Sequence, residues 1–69
     1  MNITAQDKNV YDISELIQRG NEIYGVLKKN RKEVLLGRYK EMTRTFEIMS
    51  EATCLSWNNE AKEYIFPMN

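Results

Sequence analysis

The chain of 69 residues has no histidine and only one cysteine. Without histidine it lacks the commonest general base and the commonest metal ligand. With Cys54 alone, no internal disulfide can form. Cys54 lies between Thr53 and Leu55 with no basic neighbour in sequence to activate its thiol, so it reads as a small buried hydrophobe rather than a nucleophile. No apolar run reaches membrane-spanning length, and "MNITAQDKN" does not have the pattern of a signal peptide. CxxC pairs, glycine-rich phosphate loops and EF-hand patterns are missing too. The carboxylate pairs Glu47/Glu51 and Glu60/Glu63 stand at helical spacing but read as solvated faces. The expectation is a cytoplasmic protein that is not an enzyme, holds no cofactor or metal, and does not enter a membrane.

What is present is a globular composition, 42% hydrophobic and 29% charged, which argues against disorder. A chain this short makes one domain with a small core, so a homo-oligomer or a bound partner is expected to add stability. The zero net charge conceals an asymmetry. Residues 1–40 hold eight basic and five acidic side chains, and residues 41–69 hold two basic and five acidic. A basic half followed by an acidic half suggests two different partners.

Local signals then order the chain. "NITA" reads as a short strand. In "NVYDISELIQRGN", Asn9 or Asp12 can cap a helix, Val10, Ile13, Leu16 and Ile17 recur at helical spacing, and Gly20-Asn21 is a stop. The spacing predicts a helix over Val10 to Arg19. Residues 20–37 admit two readings. Ile23, Tyr24 and Leu27 continue a helical stripe, which would make a small all-α helical hairpin. Against it, Gly25 and Gly37 would each cost roughly 1 kcal/mol inside a helix. The preferred reading is a β-hairpin with strands "EIYGVLK" and "EVLLG" around the polar turn "KNRK".

A second amphipathic helix follows in "RYKEMTRTFEIMSEA", where Tyr39, Met42, Phe46 and Met49 form one apolar stripe. The C-terminal "TCLSWNNEAKEYIFPMN" carries Leu55, Trp57, Tyr64, Ile65 and Phe66 without a periodic stripe, and Pro67 stops any helix. Aromatic side chains on a terminal segment serve as partner anchors or fold back to complete the core. The expected architecture is therefore α+β. A helix-hairpin-helix module over residues 1–50, able to dimerise, precedes a partner-binding segment over 51–69.

The order "ISELIQRGNEIYGVLKKNRKEVLLGRYKEM" resembles the Phd/YefM family of antitoxins over roughly residues 10 to 45. The resemblance lies in Gly20, Ile23, the turn "KKNRK", Val34-Leu35-Leu36 and "RYKEM". Asp7 and Lys8 stand where that family has an early arginine, and the Lys29–Asn30 region stands where its turn carries glycine. The resemblance implies a dimer that binds operator DNA with its N-terminal module and neutralises a toxin with its C-terminal segment.

On this reading Lys8, Arg19, Lys28, Lys29, Arg31 and Lys32 would contact DNA. Leu55, Trp57, Tyr64, Ile65 and Phe66 would contact the protein partner. The alternative is a small phage or mobile-element protein that inhibits a host or defence enzyme by direct binding, with no DNA contact.

Overall fold

The computed structural model describes the backbone of residues 2–58 and 63–69, with the side chains of all of these except 55–58. The elements are β1 (Asn2–Thr4), β2 (Val10–Arg19), β3 (Glu22–Leu27), β4 (Glu33–Arg38), α1 (Met42–Asn58) and β5 (Glu63–Ile65). One mixed sheet has the order β4-β3-β2-β1-β5, with β5 parallel to β1 and the other pairs antiparallel. The α+β class stands. The helix expected over Val10 to Arg19 is a strand, and the all-α alternative has no support.

The misread segment has a specific cause. Val10, Tyr11, Ile13 and Ile17 are β-branched or aromatic, types that favour a pleated backbone. Between Ile13 and Glu15 the pairing with β3 slips by one residue, so Ser14 is a bulge, and its hydroxyl donates to the Val26 carbonyl at 3.2 Å. The bulge resets the alternation. Ile13 is buried and Leu16, three residues on, packs against the same core. An i, i+3 repeat in a bulged strand imitates a helix.

Gly20 and Asn21 form a two-residue turn between the paired residues Arg19 and Glu22. Gly20 has φ 60, the conformation that the first central residue of a type II′ turn requires. Gly25 answers a packing demand instead. Leu16 and Val34 flank it in register, and a Cβ there would come within 2.7 Å of Ile13 Cδ1 and 2.8 Å of Leu36 Cδ1.

Hydrogen bonds beyond the strands curl the sheet. The Gln6 amide donates to the Leu36 carbonyl at 2.9 Å, joining the residue after Ala5 to β4 at the far side of the sheet. The Gln6 Oε1 accepts from the Arg38 amide at 2.8 Å, and its Nε2 donates to the Pro67 carbonyl at 3.0 Å. Tyr39 Oη donates to the same Pro67 carbonyl at 2.8 Å.

Helix α1 covers the inner face. The core gathers Ile3, Ile13, Ile23, Leu36, Tyr39, Ile48, Ala52, Tyr64 and Phe66. The Tyr64 and Phe66 rings meet edge to face at 5.3 Å, a geometry worth about 0.5–1.5 kcal/mol beyond the area buried.

Tyr64 and Phe66 are therefore core residues, correcting their expected role as exposed anchors. Alternation along β5 turns Tyr64 inward and Ile65 outward, and Phe66, just after the strand with its amide bonded to the Thr4 carbonyl at 2.9 Å, turns inward again. A boundary at residue 50 would cut α1 and part β5 from β1, and Ala52, Tyr64 and Phe66 share one core with residues from the first fifty.

Two expected outcomes follow from this burial. Phe66→Ala should cost about 3–5 kcal/mol, and truncation after Thr53 should abolish the cooperative thermal transition. A truncated chain that melts near the parent temperature would contradict the place of β5 in the fold. At high pH, burial first and the neighbouring Glu51 carboxylate second push the Tyr64 phenol up to about 12 from its ordinary 10.0. Its contribution is whole below pH 10 and is lost as pH climbs toward 12, so alkaline unfolding should be milder in Tyr64→Phe.

Candidate interaction surface

Helix α1 carries two stripes. Thr45, Ile48 and Ala52 recur at three- and four-residue spacing and are buried against the sheet. Thr45 loses nothing by burial, because its hydroxyl donates to the Glu41 carbonyl at 3.0 Å. The expected stripe of Tyr39, Met42, Phe46 and Met49 does not face the core as a unit. Tyr39 precedes the helix and is buried, Met49 is half-buried, and Met42 and Phe46 are 50% and 53% exposed. The helix thus turns its smaller face inward.

The reason lies in the sheet. Ile3, Ile13, Ile23 and Leu36 already fill the inner face, so the helix approaches through Thr45 and Ala52. Met42 and Phe46, one turn apart, are left as adjacent apolar side chains in solvent. Sequence reasoning missed this surface because it weighed only the bulkier stripe. The competing signal was Thr45, Ile48 and Ala52, at the same periodicity but with less bulk.

A second surface is the turn between β3 and β4. The Leu27 amide donates to the Lys32 carbonyl at 2.7 Å and the Arg31 amide to the Leu27 carbonyl at 2.9 Å, closing a loop over Lys28, Lys29, Asn30 and Arg31. Asn30 Oδ1 accepts from the Lys32 amide at 3.0 Å, and the Lys28 amide reaches the Asp12 carbonyl of β2 at 3.0 Å. Arg31 has φ 63, the left-handed region. Lys8, with φ 71, occupies the equivalent last position of the loop between β1 and β2. That loop is steadied by Asp7, whose carboxylate accepts from the Asn9 amide.

The cations divide by type. Arg19 pairs with Glu33, Arg31 with Glu15 at 3.7 Å, Arg38 with Glu22 and Arg44 with Glu47. Among the described residues, Lys8, Lys28, Lys29, Lys32 and Lys40 have no carboxylate within ion-pair distance. The guanidinium fork fits a carboxylate in two-pronged fashion, whereas a lysine ammonium is better left hydrated.

Of the six residues expected to contact DNA, four lie together at the β3–β4 tip. Arg19 does not join them. Its guanidinium lies over the Tyr24 ring at 5.2 Å and binds Glu33, which belongs to the outer face of the sheet. Lys8 lies on the other loop, where Gln6 holds to Leu36 and Arg38 at the far end of β4.

Of the expected partner contacts, Ile65 is 67% exposed, and Thr4 stands in register between it and the exposed Val10. Tyr64 and Phe66 are buried, and the Leu55 and Trp57 side chains lie outside the described residues. Cys54 is exposed on α1, correcting its expected burial.

A cleft of about 460 Å³ lies beside the start of α1, lined by Arg38, Lys40, Glu41, Arg44 and Met68 among others. Both of its arginines are paired, and Arg44 also donates to the Asn69 main-chain oxygen at 3.0 Å. Its charge is largely answered from within. No helix among the described residues is long and apolar enough to cross a membrane. Compared with protein-family models, curated proteins and solved structures, the chain matches none.

The outer-face network is sensitive to acid. The bond from Arg38 first, then that from Tyr24, holds the Glu22 carboxyl below its ordinary 4.5, and the bond from Arg19 does the same for Glu33. The Asn9 amide likewise lowers Asp7. Groups with depressed values contribute fully above the ordinary carboxylate range, and the contribution fades as pH falls through the folded values. Melting temperature should therefore decline below about pH 4.5, and the decline should be shallower in Glu22→Gln/Glu33→Gln. An identical acid limb in that variant would remove the network from the explanation.

Proposed function

We propose that this chain is a non-enzymatic binding protein of the antitoxin or inhibitor kind, which occludes a protein partner with the exposed apolar face of α1. The observation that carries the reading is Met42 and Phe46 standing half in water on a helix that buries threonine and alanine instead. Full burial of either type is worth about 1.5–3 kcal/mol, so covering the exposed half of each releases on the order of 1 kcal/mol. A partner that covers both gains a compact centre of the kind that dominates interface energies.

Two related readings share this surface. One is a toxin-neutralising partner, and the other is an inhibitor of a host or defence enzyme carried by a mobile element. They differ in whether nucleic acid is also bound. A second copy of the chain is a further occupant that the same test identifies.

The test is affinity capture from the source organism using the parent and Met42→Ser/Phe46→Ser, with thermal melting of both. The parent should retain one stoichiometric protein. The variant should melt at or near the parent temperature and lose that protein, since anchors of this type cost about 2 kcal/mol or more of binding when removed. An unchanged set of captured proteins overturns the reading, and retention of a second copy alone reassigns the face to self-association.

A further inference from the structure

The sheet order places β4 at one end, so one edge of that strand has no neighbouring strand. Which main-chain groups stand on that edge follows from the pairing with β3. The Leu27 amide bonds to the Lys32 carbonyl at one end of the pair, and the Tyr39 amide to the Asn21 carbonyl at the other. Bonded and non-bonded pairs alternate along an antiparallel ladder, so Val26–Glu33 and Tyr24–Leu35 are non-bonded pairs. The main-chain groups of Glu33 and Leu35 therefore point away from β3. Exposed edges invite pairing with other chains, and folds ordinarily blunt them. Here the pairing slips at Leu36, and Gln6 covers the far half of the edge through the Leu36 carbonyl and the Arg38 amide. Among the described residues, nothing bonds to the outward main-chain groups of the half nearer the turn.

That half has its own chemistry. Leu35 is 40% exposed, and Val34 beside it is half-buried. The turn next to it carries Lys28, Lys29 and Lys32, which have no carboxylate within ion-pair distance among the described residues. The nearby carboxylates are already engaged, Glu33 with Arg19 and Glu15 with Arg31. Lysines beside an open edge repel a basic strand and admit an acidic one.

We propose that the half of the β4 edge nearer the turn takes up an extended acidic peptide of a protein partner as an added strand. Main-chain bonds to Glu33 and Leu35 hold the peptide, Leu35 selects an apolar side chain beside it, and the lysines select its charge. The site rests on β4 rather than on α1, so its failure and that of the α1 reading are separable.

The experiment titrates the full chain with the labelled peptide acetyl-Glu-Glu-Val-Thr-Val-Glu-Glu-amide, by fluorescence anisotropy and by amide exchange in NMR. In the free chain the Glu33 and Leu35 amides should exchange fast and the Val34 amide slowly. Saturation with peptide should slow the first two by about tenfold or more. Methylating both valine nitrogens blocks one edge of the peptide, and methylating the threonine nitrogen blocks the other. One of these two should bind about tenfold more weakly than its counterpart. A peptide with lysine in place of glutamate should bind more weakly by a similar factor. Leu35→Pro deletes an outward donor that the sheet does not use and should weaken binding. Met42→Ser/Phe46→Ser should bind the acidic peptide as the parent does.

The proposal is overturned by absence of binding, by slow exchange of Glu33 and Leu35 in the dilute free chain, or by protection confined to other amides. Equal binding of the two methylated peptides, or of the lysine peptide, reduces the contact to non-specific attraction and overturns it too. Loss of binding in Met42→Ser/Phe46→Ser would move the peptide to α1. Protection that grows with protein concentration in the absence of peptide would assign the edge to a second copy of the chain instead.

Discussion

Gln6 holds together parts of the chain that no strand pairing joins. Its amide bonds to the Leu36 carbonyl, its Oε1 accepts from the Arg38 amide, and its Nε2 reaches the Pro67 and Met68 carbonyls. The residues bridged lie about 30 and about 60 positions away in sequence. Closing loops of that length carries an entropic cost that rises only slowly with length, so one polar node can hold the curl once the core favours it. The curl then dictates what may stand beneath it. A Cβ at Gly37 would lie 3.0 Å from Phe66 Cδ2 and from the Tyr39 ring, so glycine at that position lets β4 and the C-terminal segment meet. Gln6 and Pro67 are both drawn into this junction, so the segments that carry them are parts of one fold.

How much of this was legible depends on the range of the signal. The β3–β4 hairpin and the second helix could be read locally, because Gly25 and Gly37 spoke against a continuous helix and the stripe in α1 has the correct period. The strand over Val10 to Arg19 could not be read from spacing, since the Ser14 bulge gives Ile13 and Leu16 a helix-like interval. Residue type was the better guide there, and it disagreed with the spacing. The placement of Tyr64 and Phe66 was not local at all. Nothing near them in sequence announces that Ile3 and Tyr64 will be register partners on adjacent parallel strands.

The two faces of α1 show why hydrophobicity alone misassigns a surface. A helix on a sheet is constrained by the depth left to it as well as by the apolar area it offers. Here large side chains rise from the strands, so small residues on the helix allow close approach and large ones are displaced to its flank. Met42 and Phe46 are exposed because of that complementarity, and packing within the chain gives neither of them full cover. An apolar pair left out by geometric necessity could be neutral in function. What separates that case from an interface is whether the pair can be made polar without loss, which stability alone does not report.

Charge follows a similar logic of residual groups. The surplus of basic residues in the first forty positions is not spread evenly over the surface, because each of the three arginines there has a glutamate partner and the described lysines have none. Arg19 and Arg38, laid across Tyr24 and Glu22, spend their charge on fastening the outer face of β2, β3 and β4. Lys28, Lys29 and Lys32 keep theirs for solvent or a ligand. Arg31 belongs to both groups, paired at the longest of the three distances and held on an unfavourable backbone. The basic tip and the apolar flank of α1 differ in chemistry and sit on different elements. Salt would weaken contacts at the tip and leave those at the flank nearly untouched, so ionic strength separates the two surfaces even before a partner for either is in hand.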